Sequence, residues 1–189
     1  MKQFLTLSLL CCAFAMTAQN IITVSNDATF DADYSSISAA IANAGPNDLI
    51  YVHGTEDRYG NLTITKKVHL IGTGYFLEEN NILQTTSPNA ALLSSVTFSN
   101  GSNGSIIEGF ETSSIFLNDD NITVRRNRVL FSNSRIEVSA DDCNIINNYF
   151  TFVQDGNSVA VDNLQIIGNY ISSGVYFDDL DDNVIVLKD

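Results

Sequence analysis

The fold predicted for this 189-residue chain is all-β, a single-stranded parallel β-helix closed at its amino end by one short α-helix, and three observations predict it. Asn127, Asn148 and Asn169 fall 21 residues apart, and each begins a similar tripeptide: Asn-Arg-Val, Asn-Tyr-Phe, Asn-Tyr-Ile. A fixed spacing of this size returns the chain to the same angular position once per repeat, as in a solenoid whose coils stack over a shared core. The same register superimposes Val124, Ile145 and Ile166, and Val186 joins them in the repeat that follows. The runs between these points are short and β-branched, without helical periodicity, and their turns are rich in Asn and Gly against only 2 Pro.

Taken in chain order, residues 1–18 stand apart. Lys2 precedes an apolar stretch from Phe4 to Met16 that ends in small residues near Ala18, the layout of a secretory signal peptide. The stretch is short for a membrane span, so the mature chain is expected to have none. A domain of residues 19–189 would remain, in which Cys143 is the sole cysteine and no internal disulfide can form. Cys143 shares its register with Ile122 and Leu164, a core position rather than that of a nucleophile.

Ile37, Ala40, Ile41 and Ala44 recur at helical spacing behind Ser35 or Ser36 as N-cap and before a Gly45-Pro46 stop. An open solenoid end exposes core and an unpaired strand edge, and this helix is expected to cover both. Leu49 to Val52, Leu62 to Ile64 and Val68 to Ile71 read as the first strands, closing on Gly72-Thr73-Gly74. Further along, apolar pairs separated by one residue mark strands with one buried face: Ile115 and Leu117, Ile136 and Val138, Val159 and Val161, Val175 and Phe177. A mature chain of about 170 residues at about 21 per coil makes roughly eight coils, a rod about 35 to 40 Å long. Val184 to Leu187 reads as a last strand without a visible cap. This suggests either end-to-end pairing with another chain or a solenoid truncated at its carboxyl end.

The helix before Gly45-Pro46-Asn47-Asp48, the strand Leu49-Ile50-Tyr51-Val52, the segment running to Gly72-Thr73-Gly74 and the Asn127, Asn148 and Asn169 repeats together resemble the right-handed parallel β-helix proteins of the pectin-lyase-like superfamily. The resemblance covers nearly all of the mature chain and implies an architecture, because that fold carries lyases, hydrolases, esterases and non-catalytic adhesins alike. It implies no particular activity. The Gly-His-Gly and Arg-Ile-Lys segments of polygalacturonases are missing, as are the arginine-centred segments of pectate lyases and the boxes of pectin methylesterases. His53 and His69 lack a Cys or His partner at metal-ligand spacing, so zinc chemistry has no support.

The formal charge of −13, made one unit more negative by the loss of Lys2, repels phosphate backbones and anionic headgroups and argues against nucleic acid as a partner. The only basic cluster, Arg125, Arg126 and Arg128, is expected to pair with the chain's own carboxylates. Asp120, Asp142, Asp162 and Asp182 recur at nearly equal intervals beside asparagines. They should line one edge as turn residues, and calcium, which prefers oxygen ligands, is the one cofactor they could take.

Outward positions of the strands that carry Ile115, Ile136, Val159 and Val175 would form a charged and aromatic strip. Its members by alternation include Phe116, Arg135, Glu137, Asp162, Tyr176 and Asp178. Phe116 and Tyr176 could stack on sugar rings and Arg135 could pair with a carboxylate, while Glu137 or Asp178 could accept a proton. Asn127, Asn148 and Asn169 are assigned to a structural ladder, their side-chain amides bonding from coil to coil. The favoured expectation is a secreted or cell-surface β-helix without catalysis, serving surface attachment or recognition of a polysaccharide or cell-surface glycan. The alternative is a carbohydrate-active enzyme, a calcium-assisted polysaccharide lyase or a glycoside hydrolase, with Arg135, Glu137 and Asp178 as catalytic candidates.

Overall fold

The computed structural model describes residues 20–77, 89–131, 134–156 and 160–178 and the main chain of 184–187. The leader assignment for residues 1–18, together with Ser158, Val159 and Asp182, lies outside them. The first coil holds β1 (Ile21–Val24) and α1 (Ile37–Asn43), and the second holds β2 (Leu49–Val52) and β3 (Asn61–Ile64). The third holds β4 (His69–Ile71), β5 (Ala91–Leu92) and β6 (Ser95–Phe98), and the fourth β7 (Ile106–Glu108), β8 (Phe110–Thr112) and β9 (Ser114–Leu117). The fifth holds β10 (Thr123–Arg125), β11 (Arg128–Val129) and β12 (Arg135–Val138), followed by β13 (Asn144–Ile146) and β14 (Tyr149–Asp155) in the sixth. A seventh is spanned by β15 (Gln165–Tyr176) alone, and β16 (Val184–Leu187) opens another.

Every pairing between described strands is parallel and joins one coil to the next, which makes the chain a β-solenoid. The first face stacks β1, β2, β4, β7, β10, β13, the start of β15 and β16. The second stacks β5, β8, β11, the start of β14 and the middle of β15, and the third β3, β6, β9, β12 and the ends of β14 and β15. Only the third to seventh coils carry strands on all three faces, so the described chain makes five complete turns.

The core is the lumen of this coil. Ile107, Val124, Ile145 and Ile166 stack on the first face, Val96, Ile115, Ile136 and Val153 on the third, all fully buried. Each such side chain contributes about 1.5 to 3 kcal/mol by leaving water. Ile122, Cys143 and Leu164 form a further buried stack, as their shared register predicts.

Two register expectations need correction. The partner of Ile136 in the next coil is Val153, with Arg135 beside Phe152 and Glu137 beside Gln154, so Val159 and Val161 are not that rung. The third face therefore climbs through Ile115, Ile136, Val153 and Val175, and its step from Ile136 to Val153 is markedly shorter than the steps on either side. The chain saved there is spent after β14, in the corner that leads to β15. Ile166 pairs with Ile185 rather than Val186, one position short of the extrapolated repeat. A solenoid keeps its rungs and lets its corners vary in length, so extrapolating one period across an unequal corner slips the register.

The three spaced asparagines form a ladder. The Oδ1 of Asn127, Asn148 and Asn169 accepts the main-chain N–H of Phe110, Asn127 and Asn148 in the preceding coil, at 3.0, 2.9 and 2.7 Å. Their Nδ2 groups donate back to the carbonyls of Ile107, Val124 and Ile145 at 3.0, 2.9 and 2.7 Å, and all three residues are buried. The residue before each Asn turns the corner with a positive φ: 54° at Arg126, 55° at Asn147 and 63° at Gly168. The strand's own hydrogen-bond pattern is broken at that corner, and the amide satisfies the main-chain groups it leaves over.

At the amino end, Ser36 caps α1 by accepting the Ala39 N–H at 3.3 Å, while Ile37, Ala40 and Ile41 face the core. Lys66 reaches the other end, where its Nζ donates to the carbonyls of Ile41, at 3.1 Å, and Ala44. The outer edge of β1 is blunted locally. Asp33 accepts the Thr23 N–H at 2.8 Å and Tyr34 bonds to both Thr23 and Ser25, so these main-chain groups are closed to another strand.

Candidate functional site

The third face presents two outward columns. One runs through Ser114, Arg135, Phe152 and Gly174, the other through Phe116, Glu137, Gln154 and Tyr176, with neighbouring rungs about 4.8 Å apart. Alternation within β9, β12, β14 and β15 puts these side chains outside because their neighbours Ile115, Ile136, Val153 and Val175 face the lumen. Arg135 lies with its guanidinium 5.1 Å from the centre of the Phe116 ring and its Nε donates to Glu137 Oε2 at 2.8 Å. The Nε2 of Gln154 donates to the same oxygen at 3.3 Å. Phe152 and Tyr176 meet edge to face at 6.0 Å, and Tyr176 is 53% exposed.

Of the expected strip, then, Phe116, Arg135, Glu137 and Tyr176 come together. Asp178 lies just past the end of β15, where its N–H donates to Asp155 at 3.3 Å. Asp162 does not belong to the strip, because the rung predicted to carry it is formed by Phe152 to Asp155 instead. Phe152 and Gln154 are the members that sequence reasoning missed. Their signal was the alternation Phe152, Val153, Gln154, hidden by the shortened step from Ile136.

Asp162 stands at the opposite corner, in a column with Asp120 and Asp141. Asp120 Oδ1 accepts the Asp141 N–H at 3.1 Å, and Asp141 Oδ1 accepts that of Asp162 at 2.9 Å. The acid in register is therefore Asp141, not Asp142. Asp142 occupies the next column with Asn121 and Asn163, where φ is 57°, 56° and 53° for Asn121, Asp142 and Asn163, a left-handed bend that Asn and Asp tolerate better than other side chains. Main-chain donors already engage the carboxylates of Asp120 and Asp141. Among the described residues no three His, Cys, Asp or Glu side chains gather closely enough to hold a metal ion.

A second cluster lies on the first face, without a counterpart in the sequence pattern. Glu108 accepts two hydrogen bonds from Arg125, at 2.9 and 2.8 Å, and lies 2.8 Å from His69 Nε2 and 3.7 Å from Arg126. Burial pushes the Glu108 carboxyl up, but the hydrogen bonds and charges of Arg125 and His69 outweigh it and hold the group below its ordinary 4.5. On the second face Arg128 pairs with Glu111 at 3.3 Å and covers the Phe76 ring, which meets Tyr149 edge to face; Tyr149 stacks on Tyr170 at 4.5 Å. The basic cluster thus pairs with internal carboxylates.

Fold and site define a parallel β-solenoid with a helical cap and a flat outer face mixing aromatic, basic and acidic side chains. No family model, curated protein or solved structure matches the chain.

Proposed function

We propose that the chain is an exported, non-catalytic β-helix of the pectin-lyase-like kind that recognises a polysaccharide or cell-surface glycan along its third face. The observation that carries this reading is the continuous strip of Phe116, Arg135, Glu137, Gln154 and Tyr176 on four successive rungs. An open, rigid, ribbon-shaped surface suits a linear polymer, aromatic rings offer apolar faces to pyranose C–H groups, and the Arg-Glu-Gln set offers donors and acceptors to hydroxyls. Hydrolysis would require two carboxylates about 5 to 10 Å apart across one bond. In the two outward columns of the third face, among the described residues, Glu137 is the only one, and its Oε2 is already shared by Arg135 and Gln154.

The test is a glycan array probed with the wild-type chain and with Tyr176→Ala and Arg135→Ala. Binding to one class of glycan, lost at least tenfold in both variants while their melting temperatures hold, is the expected result. Binding that both variants retain in full would place recognition elsewhere. Release of unsaturated or reducing ends from a bound polysaccharide, abolished by Glu137→Gln, would overturn the non-catalytic part.

A further inference from the structure

Among the described residues, two that are neither Gly, Asn nor Asp adopt a left-handed backbone: Phe76, at φ 57°, and Arg126, at φ 54°. Both belong to one neighbourhood. The residues equivalent to Arg126 are Gly109 in the coil before, Asn147 in the coil after and Gly168 in the one beyond, types that take this conformation readily. An arginine there is strained, and backbone strain of this kind collects where a side chain must be aimed at a ligand. Arg126 borders a cleft of about 580 Å³, lined also by Gly72, Gly74, Tyr75, Glu108 and Asn147.

The charges within reach of this cleft are unlike those of the rest of the molecule. Among the described residues, Arg125 and Arg126 face one carboxylate, Glu108, so this set carries one excess positive charge on a chain of formal charge −13. Glu108 is not a free repellent, because Arg125 grips both its oxygens and His69 binds one of them. Arg126 is only loosely held at 3.7 Å, and its side chain is 70% exposed. Its guanidinium fork is therefore the group available to an incoming anion, and it matches a planar carboxylate in two parallel hydrogen bonds.

We propose that this cleft is a binding site for a small hydroxylated monocarboxylate, of sugar-acid size, anchored by Arg126. One excess positive charge suits a monoanion, and the volume falls within the range of small-molecule pockets. Tyr75 and Asn147 also line the cleft, beside the space left for the hydroxylated body. This site is separate from the third-face strip and does not rest on glycan recognition there.

The experiment is an NMR titration of the purified chain with sodium gluconate, with glucose and sodium sulfate as the other arms. Gluconate should shift the amides of Gly72 to Tyr75, Gly109 and Arg126 in a saturable way, and glucose should not. Arg126→Asn is the decisive variant, because Asn occupies the same corner one coil later and removes the guanidinium while relaxing the backbone. It should weaken gluconate at least tenfold without lowering the melting temperature, and leave any binding that depends on Arg135 and Tyr176 unchanged. Four results would overturn the proposal: no saturable shift with gluconate, sulfate binding as tightly as gluconate, unchanged gluconate affinity in Arg126→Asn, or a lower melting temperature in that variant.

Discussion

Replacing Asn148 by alanine tests the asparagine ladder most directly. The side chain is buried, its Oδ1 takes the N–H of Asn127 at 2.9 Å and its Nδ2 gives to the carbonyl of Val124 at 2.9 Å. Alanine would leave the Asn127 N–H without this partner in a place water does not reach, a loss of about 1 to 3 kcal/mol, and remove a donor from Val124 for about 1 kcal/mol more. A total near 3 kcal/mol lowers the melting temperature of a domain this size by roughly 6 to 12 °C, readable by circular dichroism. Asn148→Asp should be worse at neutral pH, because it turns a carboxylate oxygen toward Val124 O and Asn169 Oδ1, where the amide now donates at 2.9 and 3.0 Å. Such a carboxyl would have a folded pKa above its unfolded one, so stability would return as pH falls through the folded value and the group protonates into a donor. An exposed turn residue, Asn118, supplies the control and should change by less than about 0.5 kcal/mol. If Asn148→Ala costs under about 1 kcal/mol, or no more than Asn118→Ala, the ladder does not hold the corners together.

Cys143 should resist thiol reagents at pH 8 in the folded chain, since burial pushes its thiol up to about 12, and should label only on unfolding; rapid native-state labelling would contradict its place in the lumen. Glu108→Gln should destabilise the chain by about 2 kcal/mol at pH 7 in urea titrations. Because the Glu108 carboxyl is held below 4.5 in the folded state, its contribution is fully present above that value and fades as pH falls through the lowered one. The gap between wild type and variant should therefore close in acid, and a gap that stays constant to pH 3 would show that charge plays no part.

The parts of the fold that are legible in the sequence are those with short, equal intervals. Asn127, Asn148 and Asn169 announce themselves because two consecutive coils have the same total length, and α1 does so through its Ser36 cap and the spacing of Ile37, Ala40 and Ile41. The Phe152 rung escapes the pattern because the step from Ile136 to Val153 is shorter than the one before it, and the acid column slips by one because paired acids, Asp141 and Asp142, offer two choices of register. The cluster at Glu108 has no signal at all. Its partners His69 and Arg125 belong to the coils on either side, reached by steps of very unequal length, and only the stacking of β4, β7 and β10 brings them together. A left-handed arginine is equally silent, since nothing in the residue type marks position 126 as a corner until its neighbours at 109, 147 and 168 are seen above and below it.

Within each rung of the third face, the inward and outward residues answer to different demands. The inward pairs barely change along the rod, from Leu62 and Ile64 through Val96 and Phe98 to Ile115 and Leu117 and then Ile136 and Val138, because each must fill the same lumen. The outward pairs begin as Asn61 and Thr63, then Ser95 and Thr97, small polar residues that suffice to keep a solvated strand in place. From β9 onward they become Phe116, Arg135 with Glu137, Phe152 with Gln154, and Tyr176. The early rungs demonstrate that the coil needs no such side chains on its outer face. Cross-strand aromatic contacts add a little stability, but that gain was equally open to the first rungs and was not taken there. A change in the outward residues over four consecutive rungs, while the lumen column of Ile115, Ile136, Val153 and Val175 stays apolar, separates the demands of the surface from those of the fold. That contrast is the reason for seeking the proposed binding function on this strip rather than on the plainer rungs before it.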